Sequence, residues 1–412
     1  MIDLKKLRED PQGFKNAVAR KGYELDIDAL LKLDEKRRAL IQEIDELRNE
    51  ANEVASLGKD ADRERGKELK EKIKISEKQL EEINDEIKEV WFDVNPPFED
   101  VPDNDREVRV VGEKTLFDFE PKDHLELGKT LDTLDFETGA KVAGSQFYYL
   151  KNEGALLELA LIQYAVEALR ENGFDIFITP DLARERFYKG TGFLPGGPEA
   201  QTYEVADTDL GLIATAEVTL AGYHADEILD AEKLPLKYAG VSHCFRKEAG
   251  SYGKYSKGLY RVHQFSKVEM YAFTKPEDSS VIHEEFLKIE EEIFDKLGIP
   301  YRVIEVGAKN LSAQSARTYD IEAWMPGRND WGEVTSTSNT TDFQAHQLSI
   351  RYKTKNRIDL LHTLNGTAIA TSRAMIAILE NFQQKDGSVK IPKALHKYLP
   401  FKKIKLKSLF YV

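Results

Sequence analysis

Charged side chains that could hold small ligands are concentrated between Cys244 and Glu269. Alternate residues of an extended strand point to one face, so Arg246 and Glu248 are expected to lie side by side. A following strand would present its own alternating set: Arg261, His263, Phe265, Lys267 and Glu269. Such a face could bind a phosphate, an exocyclic amine, a flat base and an ammonium group. A solvent-exposed charged face is the alternative, and it explains the charges but not the glycines of the connecting loop.

Two further segments carry side chains of the same kind. Residues 215–217, Thr-Ala-Glu, follow an apolar pair, so a strand end would present a hydroxyl group and a carboxylate there. Residues 365–373, rich in small side chains, lead into a predicted amphipathic helix over 374–382. Because a cation in the first turn of a helix opposes its dipole, Arg373 indicates either a ligand phosphate or a surface salt bridge.

Several common catalytic patterns do not occur in the sequence. There is no GxxxxGK[ST], no GxGxxG after a strand and no HExxH, and no serine, histidine and acid are placed as a triad. Cys244 is the only cysteine, which excludes an intrachain disulfide and a cysteine-rich zinc site.

The composition is that of a folded protein in a reducing compartment. The 412 residues are 41% hydrophobic and 32% charged, which excludes collagen-like, low-complexity and wholly disordered chains. No apolar run reaches the roughly 18–20 residues of a membrane span, and the first ten residues lack a secretory pattern. We expect a cytoplasmic protein with no membrane partner. The net charge of −14 does not decide about nucleic acid, because phosphate binding follows local patches.

The elements that must position these side chains form two regions. In the larger region, strand-like alternation occurs at 236–245, 260–273, 301–306 and 319–325, and amphipathic helices are predicted at 155–170 and 278–296. Consecutive strands without regular intervening helices favour an α+β fold with an antiparallel sheet.

The first hundred residues have a different pattern. Two series of apolar residues at 3-4 spacing, one over 33–54 and one over 69–90, are typical of a coiled-coil seam. The polar stretch 56–66 between them suits the tip of an antiparallel helical hairpin, predicted at about 27–92. The helix-breaking Asn95-Pro96-Pro97 begins a linker. We therefore predict an N-terminal domain at 1–100 and a second domain at 101–412.

The hairpin carries a local group of basic residues near its tip. They are Lys59, Arg63, Arg65, Lys67, Lys70, Lys72 and Lys74. On the residues alone, a solvated coiled-coil surface explains them, and a phosphate-contacting arm is the alternative. Residues 1–100 hold 20 basic and 27 acidic side chains, so any nucleic-acid contact would depend on this local stripe and on shape.

Taken together, these segments resemble seryl-tRNA synthetases, which are class II aminoacyl-tRNA synthetases. Residues 173–180 resemble motif 1, which lines the dimer interface in this class; 241–271 resemble motif 2 and 363–382 motif 3. The loop 190–195, the Thr-Ala-Glu triplet and 333–339 also match family positions, in order and behind a hairpin. The resemblance implies a class II catalytic domain with an antiparallel sheet and an N-terminal tRNA-binding hairpin.

The resemblance also implies a role for each matching residue. Arg246, Glu269 and Arg373 would be catalytic, with Arg373 on the γ-phosphate. Serine would contact Thr215, Ala216, Glu217, Arg246, Glu269 and Thr367. ATP would contact Arg246, Lys247, Glu248, Phe265, Glu333, Val334, Thr335, Ser336 and Arg373. Glu333 and Ser336 would hold Mg²⁺, since hard oxygen ligands suit that ion.

The implied activity is that of a homodimeric serine–tRNA ligase. It would make seryl-adenylate from L-serine and ATP and then charge tRNA(Ser), with tRNA(Sec) as a further candidate and no DNA partner. Two alternatives stay open: a paralogue that loads serine onto another carrier, and a non-catalytic RNA-binding paralogue. The intact hairpin argues against the first, and the presence of Arg246, Glu248, Glu269 and Arg373 argues against the second.

Some positions depart from the family pattern. They are 309–313, His346-Gln347, Lys254 and Lys257 in the motif 2 loop, and the basic C-terminal run 401–407. Lysine in the motif 2 loop keeps the charge but lacks the bidentate geometry of arginine. None of these positions coincides with a residue assigned to ATP or serine.

Overall fold

The computed structural model describes residues 4–57, 62–90, 94–193, 201–248 and 257–406. The chain divides into two compact units, Met1–Pro96 and Pro97–Val412. Some predictions concern residues outside the described ranges: Lys59 and the rest of the tip at 58–61, the hairpin end at 91–92, 194–195 of the loop, Lys254 and the C-terminal 407–412.

The first unit is helical. Its helices are α1 Leu4–Glu9, α2 Pro11–Arg20, α3 Ile27–Ser56 and α4 Arg63–Val90. Asp26 caps α3 by accepting a hydrogen bond from the Ala29 amide at 2.9 Å. The two long helices pair along the predicted seam, where Ile44, Leu69 and Ile87 are buried. The predicted helical hairpin is confirmed.

A cluster of ion pairs lies in the N-terminal part of α3. The carboxylate of Asp34 is buried and accepts from Arg37 at 3.0 Å, from Arg38 at 3.2 Å and from Arg8 at 2.5 Å. Burial opposes ionisation, but Arg8 and Arg37 hold the pKa of Asp34 below its ordinary value. Arg37 therefore occupies a seam position because it satisfies a buried acid.

The second unit is an α+β fold. Its helices are α5 His124–Thr130, α6 Phe136–Ala143, α7 Glu153–Glu171, α8 Glu185–Thr191, α9 Glu217–Gly222, α10 Ser279–Leu297, α11 Phe343–Gln347 and α12 Thr371–Asn381. Its strands are β1 Arg106–Val111, β2 Leu134–Asp135, β3 Tyr149–Leu150, β4 Asp175–Ile178, β5 Leu182–Arg184, β6 Tyr203–Glu204, β7 Leu210–Leu212, β8 Ile228–Asp230, β9 Leu236–Phe245, β10 Gln264–Thr274, β11 Tyr301–Glu305, β12 Arg317–Met325, β13 Asp330–Asn339, β14 Arg351–Lys353, β15 Ile358–Leu360, β16 His362–Ala370, β17 Val389–Lys390 and β18 Lys403–Ile404.

One large sheet organises this unit. Its strand order is β1-β11-β12-β13-β16-β10-β9-β4, and all neighbours are antiparallel except β4 and β9. The predicted antiparallel α+β fold is confirmed. The predicted helices at 155–170 and 278–296 are α7 and α10, and β9 matches its prediction at both ends.

The two faces of the sheet differ in chemistry. One face packs against α7, α10 and α12, and its alternate residues Val268, Met270 and Ala272 join the largest apolar cluster. The opposite face of β10 carries Lys267 and Glu269 before it becomes apolar again. No helix in the described ranges combines the length and apolar composition that crossing a membrane requires.

Candidate active site

The charged face of the sheet forms the floor of a small cleft. The lining comes from separate segments: Arg246, Glu248, Tyr260, Val262, Phe265, Lys267, Glu333, Val334, Thr335, Thr367, Ala370, Ser372 and Arg373. Three sequence motifs far apart along the chain therefore meet in one place.

Four residues predicted to lie on strand faces of motif 2 fall outside both strands. β9 ends at Phe245, so Arg246 and Glu248 do not share a strand face, and Glu248 has a left-handed backbone with φ of 51°. β10 begins at Gln264, so Arg261 and His263 precede it, which also makes their predicted strand placement wrong. Arg261 still reaches the cleft, because its Nη1 donates to the Glu248 carboxylate at 2.7 Å. The left-handed backbone of Glu248 departs from the extended conformation that would place its side chain beside Arg246.

The predicted alternation holds on β10 itself. Phe265, Lys267 and Glu269 lie on one face, and the guanidinium carbon of Arg246 sits 5.3 Å from the centre of the Phe265 ring. Lys267 and Glu269 form an ion pair in which both side chains are buried. Burial raises the pKa of Glu269, and Lys267 and Arg246 oppose this increase.

A β-bulge decides which side chains of β13 face the cleft. The pairing with β12 slips at Val334, so Glu333 and Ser336 lie on the same face although three positions separate them. Ser336 lies opposite Asp320 on β12. Val334 and Thr335 turn to the other side, where Val334 joins the apolar core and the Thr335 hydroxyl donates to Glu290 at 3.1 Å.

Arg373 in the first turn of α12 closes the cleft next to Glu333. Its Nη1 donates to Glu333 Oε1 at 2.8 Å, and its guanidinium carbon lies 4.7 Å from the centre of the Tyr260 ring. Burial alone would raise the pKa of Glu333, but Arg373 holds it below its ordinary value. The Arg373 guanidinium and the Glu333 carboxylate therefore both stay charged in a partly buried site.

A histidine behind the cleft fixes the turn that carries Tyr260. His124 is buried, its Nδ1 donates to Glu380 at 2.9 Å, and its Nε2 accepts from the Leu259 amide at 3.2 Å. Gly258 has φ of 59°, and a Cβ there would overlap His124 Nε2 at 2.2 Å. A glycine is required at this position by both conformation and space.

A second bulge and a glycine bring the 215–217 segment to Glu269. The β16 ladder slips at Ala368, which sets Thr367 opposite Glu269, with its hydroxyl 3.4 Å from the carboxylate. On the other side Glu269 faces Gly240, where a Cβ would lie 2.8 Å from Ala216. Because Gly240 lacks a side chain, α9 approaches the sheet closely enough for its first residue to reach the site.

That first residue, Glu217, is buried and surrounded by polar groups. Its Oε1 accepts from Gln344 Nε2 at 2.7 Å and from Asn365 Nδ2 at 2.9 Å, while Thr215 Oγ1 accepts from the Glu217 amide at 3.2 Å. Burial, reinforced by the charge of Glu269, raises the pKa of Glu217 to about 8. Two carboxylates that resist ionisation together suit a cationic ligand between them.

The oxygen donors around Ser336 fit a magnesium ion bound together with phosphate groups. Glu333 supplies a carboxylate held ionised, and Asp320 Oδ1 is buried without a hydrogen-bond partner. Burial and the Glu333 charge raise the pKa of Asp320 well above its ordinary value, so a cation nearby would favour its ionised form. No cluster of three acidic, histidine or cysteine ligands occurs among the residues that the structure covers.

The structure differs from the predicted site at one residue and adds others. Lys247 does not line the cleft; its amide donates to Gln201 and its Nζ lies 6.0 Å from the Tyr203 ring centre. Residues that received no role from the sequence include Tyr260, Lys267, Gln344 and Asn365. Lys267 and Asn365 could have been found, since they fall on faces already singled out. Tyr260 and Gln344 are brought to the site by the tertiary fold, which no local sequence pattern indicates.

Comparisons with known proteins agree with this geometry. The family model described as Seryl-tRNA synthetase N-terminal domain matches residues 1–94, and the model tRNA synthetase class II core domain (G, H, P, S and T) matches 202–382. A serine–tRNA ligase from Dictyoglomus turgidum is 51% identical over 99% of this chain and 100% of that protein. The chain belongs to the seryl-tRNA synthetase family.

Solved structures of seryl-tRNA synthetases extend the comparison to the whole fold. The enzyme from Pyrococcus horikoshii, complexed with ATP, is 40% identical, with a TM-score of 0.89 over 99% of this chain and 100% of that chain. The Naegleria fowleri serine–tRNA ligase, in complex with AMP, is 31% identical, with a TM-score of 0.86 over 99% of both chains. The seryl-tRNA synthetase fold thus spans both units of this protein.

Proposed function

We propose that this protein activates L-serine with ATP and transfers the seryl group to tRNA(Ser). The observation that supports this most is the convergence of Arg246 and Arg373 in one cleft beside the buried carboxylates of Glu269 and Glu217. Two acids can hold an ammonium group, and two arginines can hold phosphate and carboxylate oxygens. Substrates that carry all of these groups are an amino acid and a nucleotide.

In the first step the serine carboxylate attacks the α-phosphorus of ATP. A new O–P bond forms, the bond to the β-phosphate oxygen breaks, and pyrophosphate leaves. Arg246 would hold the α-phosphate and the serine carboxylate, so the reacting atoms are brought together and the developing charge is stabilised. Phe265 would stack on the adenine, and Glu248 would accept from its amino group.

Serine would be selected at the other end of the cleft. Its ammonium group would lie between Glu217 and Glu269, and Thr367 would offer a hydroxyl contact. A site that hydrogen-bonds a substrate hydroxyl rejects alanine strongly, because its own polar groups would otherwise lose their partners. Threonine must be rejected by lack of space.

Glu333, Ser336 and Asp320 would hold Mg²⁺. The ion supplies charge neutralisation for the phosphate oxygens when it is bound. Arg373 would then exchange the Glu333 carboxylate for the γ-phosphate. The second step, attack of the 3′-terminal ribose hydroxyl of the tRNA on the seryl carbonyl, releases AMP and needs no protein nucleophile.

The hairpin would contact the tRNA through part of its basic group. Arg65 and Lys72 are already paired with Glu50 and Glu68. The other described members recur at 3-4 spacing on one exposed stripe of α4: Arg63, Lys67, Lys70 and Lys74. Residues at this spacing lie on the same helix face, so a row of phosphates could follow them.

We also infer that the protein is a homodimer. The sheet ends at β4, where Ile178 is 89% exposed and Ile176 is exposed on the same face. Leu156 and Leu159 on α7, which packs next to β4, are exposed as well. An apolar face of this kind at motif 1 suits a second copy of the chain.

Serine-dependent ATP–pyrophosphate exchange, with alanine and threonine as controls, tests the activation step. Charging of tRNA(Ser), tRNA(Sec) and a mixture lacking both tests the acceptor. We expect exchange with serine and charging of tRNA(Ser). Exchange without charging would instead favour a different carrier, and no exchange would favour an RNA-binding paralogue. A cytoplasmic location remains a prediction.

A further inference from the structure

Gln344 on α11 lies at the centre of a fully buried hydrogen-bond network behind the serine end of the cleft. Its Nε2 donates to Glu217 Oε1 at 2.7 Å and to the Thr191 carbonyl at 3.4 Å. Its Oε1 accepts from the Tyr271 hydroxyl at 2.6 Å and from the Thr363 hydroxyl at 3.0 Å. Four elements, α8, α9, β10 and β16, are therefore joined through one amide.

The network fixes which way the amide faces. A backbone carbonyl can only accept hydrogen bonds, so the amide nitrogen must face Thr191 and Glu217, and the amide oxygen must face the two hydroxyl groups. Gln344 is fully buried, so water does not compete for these bonds. The orientation of Glu217 is thereby tied to Tyr271, whose ring is also fully buried.

Both donors to Glu217 use the same oxygen. Gln344 and Asn365 bind Oε1, and no described residue donates to Oε2. The carboxylate is thus held from one side with its second oxygen left for a ligand.

We propose that Gln344 is a positioning residue for serine binding, which holds the Glu217 carboxylate in the orientation and the ionised form that an ammonium group requires. This inference rests on the proposed function. Gln344 would not touch serine, and its effect would pass through Glu217.

The charges around Glu217 give the proposal a measurable consequence. Glu269 on β10 raises the pKa of Glu217, whereas Gln344, Lys267 and Arg246 lower it. The Tyr271 phenol, which donates to Gln344, stays uncharged because burial raises its pKa well above the ordinary value. Removing the Gln344 donor should therefore move the titration of Glu217 to higher pH.

The test is the Michaelis constant for serine in ATP–pyrophosphate exchange, measured from pH 6.5 to 9 for wild type and Gln344→Met. Methionine keeps the length and removes both polar groups. We expect the serine KM of Gln344→Met at pH 7 to rise about tenfold. The pH range over which the serine KM falls should move to higher pH by about one unit. The ATP KM should change less than about twofold. Gln347→Met places the same change on the same helix and should match wild type.

The proposal would be overturned if the serine KM of Gln344→Met varied with pH as it does in wild type. An equal rise of the serine KM and the ATP KM, without a shift in the pH dependence, would also overturn it. If Gln344→Met does not fold, Tyr271→Phe removes only the hydroxyl that binds the amide oxygen, and a smaller upward shift is expected; no shift then overturns the proposal. Failure of the proposed function is a different result, because wild type itself would show no serine-dependent exchange.

Discussion

At the scale of single residues, the buried pair Lys267–Glu269 couples stability to substrate binding. Each charge is compensated by the other, and removal of one partner leaves an unpaired charge in a buried site. Burial raises the pKa of Glu269, and Lys267 opposes this increase. The pair therefore limits the rise of the Glu269 pKa at the place where an ammonium group would bind.

Lys267→Met should destabilise the protein by about 3 kcal/mol and strongly raise the serine KM, because Glu269 loses its counter-charge. Adding Glu269→Gln to that variant should restore most of the stability but not the activity. Urea unfolding and serine-dependent exchange measure the two effects. Recovery of exchange in the double variant would contradict the role of Glu269.

His283 makes stability depend on pH. It is fully buried, its Nε2 donates to the Thr337 carbonyl at 3.0 Å, and burial lowers its pKa to about 4. Because the unfolded chain binds the proton more tightly, the free energy of unfolding should fall as pH drops from about 6.5 to about 4, by about 3 kcal/mol in all. Urea unfolding at several pH values should show a flatter dependence for His283→Gln.

The sequence predicted which residues belong to the site better than it predicted the strand face on which each side chain lies. Arg246, Phe265, Glu269 and Arg373 could be named because their types and spacing fit a ligand. The bulge at Val334 could not be foreseen, since strict alternation would send Glu333 and Ser336 to opposite faces. Gln344 was missed because its partners come from four distant elements.

At the scale of elements, the basic residues of α4 fall into two groups on different sides of the helix. The seam and the ion pairs occupy one side, and the exposed stripe of Arg63, Lys67, Lys70 and Lys74 occupies another. Periodicity alone predicted both helices, because a two-helix seam repeats along the chain. It did not show which basic residues were already paired, since that depends on the register between α3 and α4.

Lys67→Gln with Lys70→Gln should raise the KM for tRNA about tenfold and reduce the salt dependence of charging, because two phosphate contacts are lost. Arg65→Gln with Lys72→Gln removes the same charge from paired positions and should have a smaller effect. Both variants should keep wild-type ATP–pyrophosphate exchange. Equal effects of the two variants on charging would show that only total charge matters.

At the scale of the whole molecule, the apolar face at β4 predicts assembly. Ile178→Asp should place a charge in the inferred interface and shift the protein to a monomer in sedimentation equilibrium, at concentrations where wild type is a dimer. Val281→Asp, on an exposed apolar residue of α10, is the matched control. A wild-type monomer, or an Ile178→Asp dimer of unchanged affinity, would contradict the inference.

The order of strands in the large sheet has a consequence for synthesis on the ribosome. β1 pairs with β11, so its partner is made roughly 190 residues later, a delay of about 10–40 s at 5–20 residues per second. The helical unit, by contrast, is complete once Pro96 has emerged. A nascent chain therefore carries a finished hairpin for many seconds while its sheet edge is unpaired. The cleft itself cannot close until α12, among the last helices translated, has left the exit tunnel.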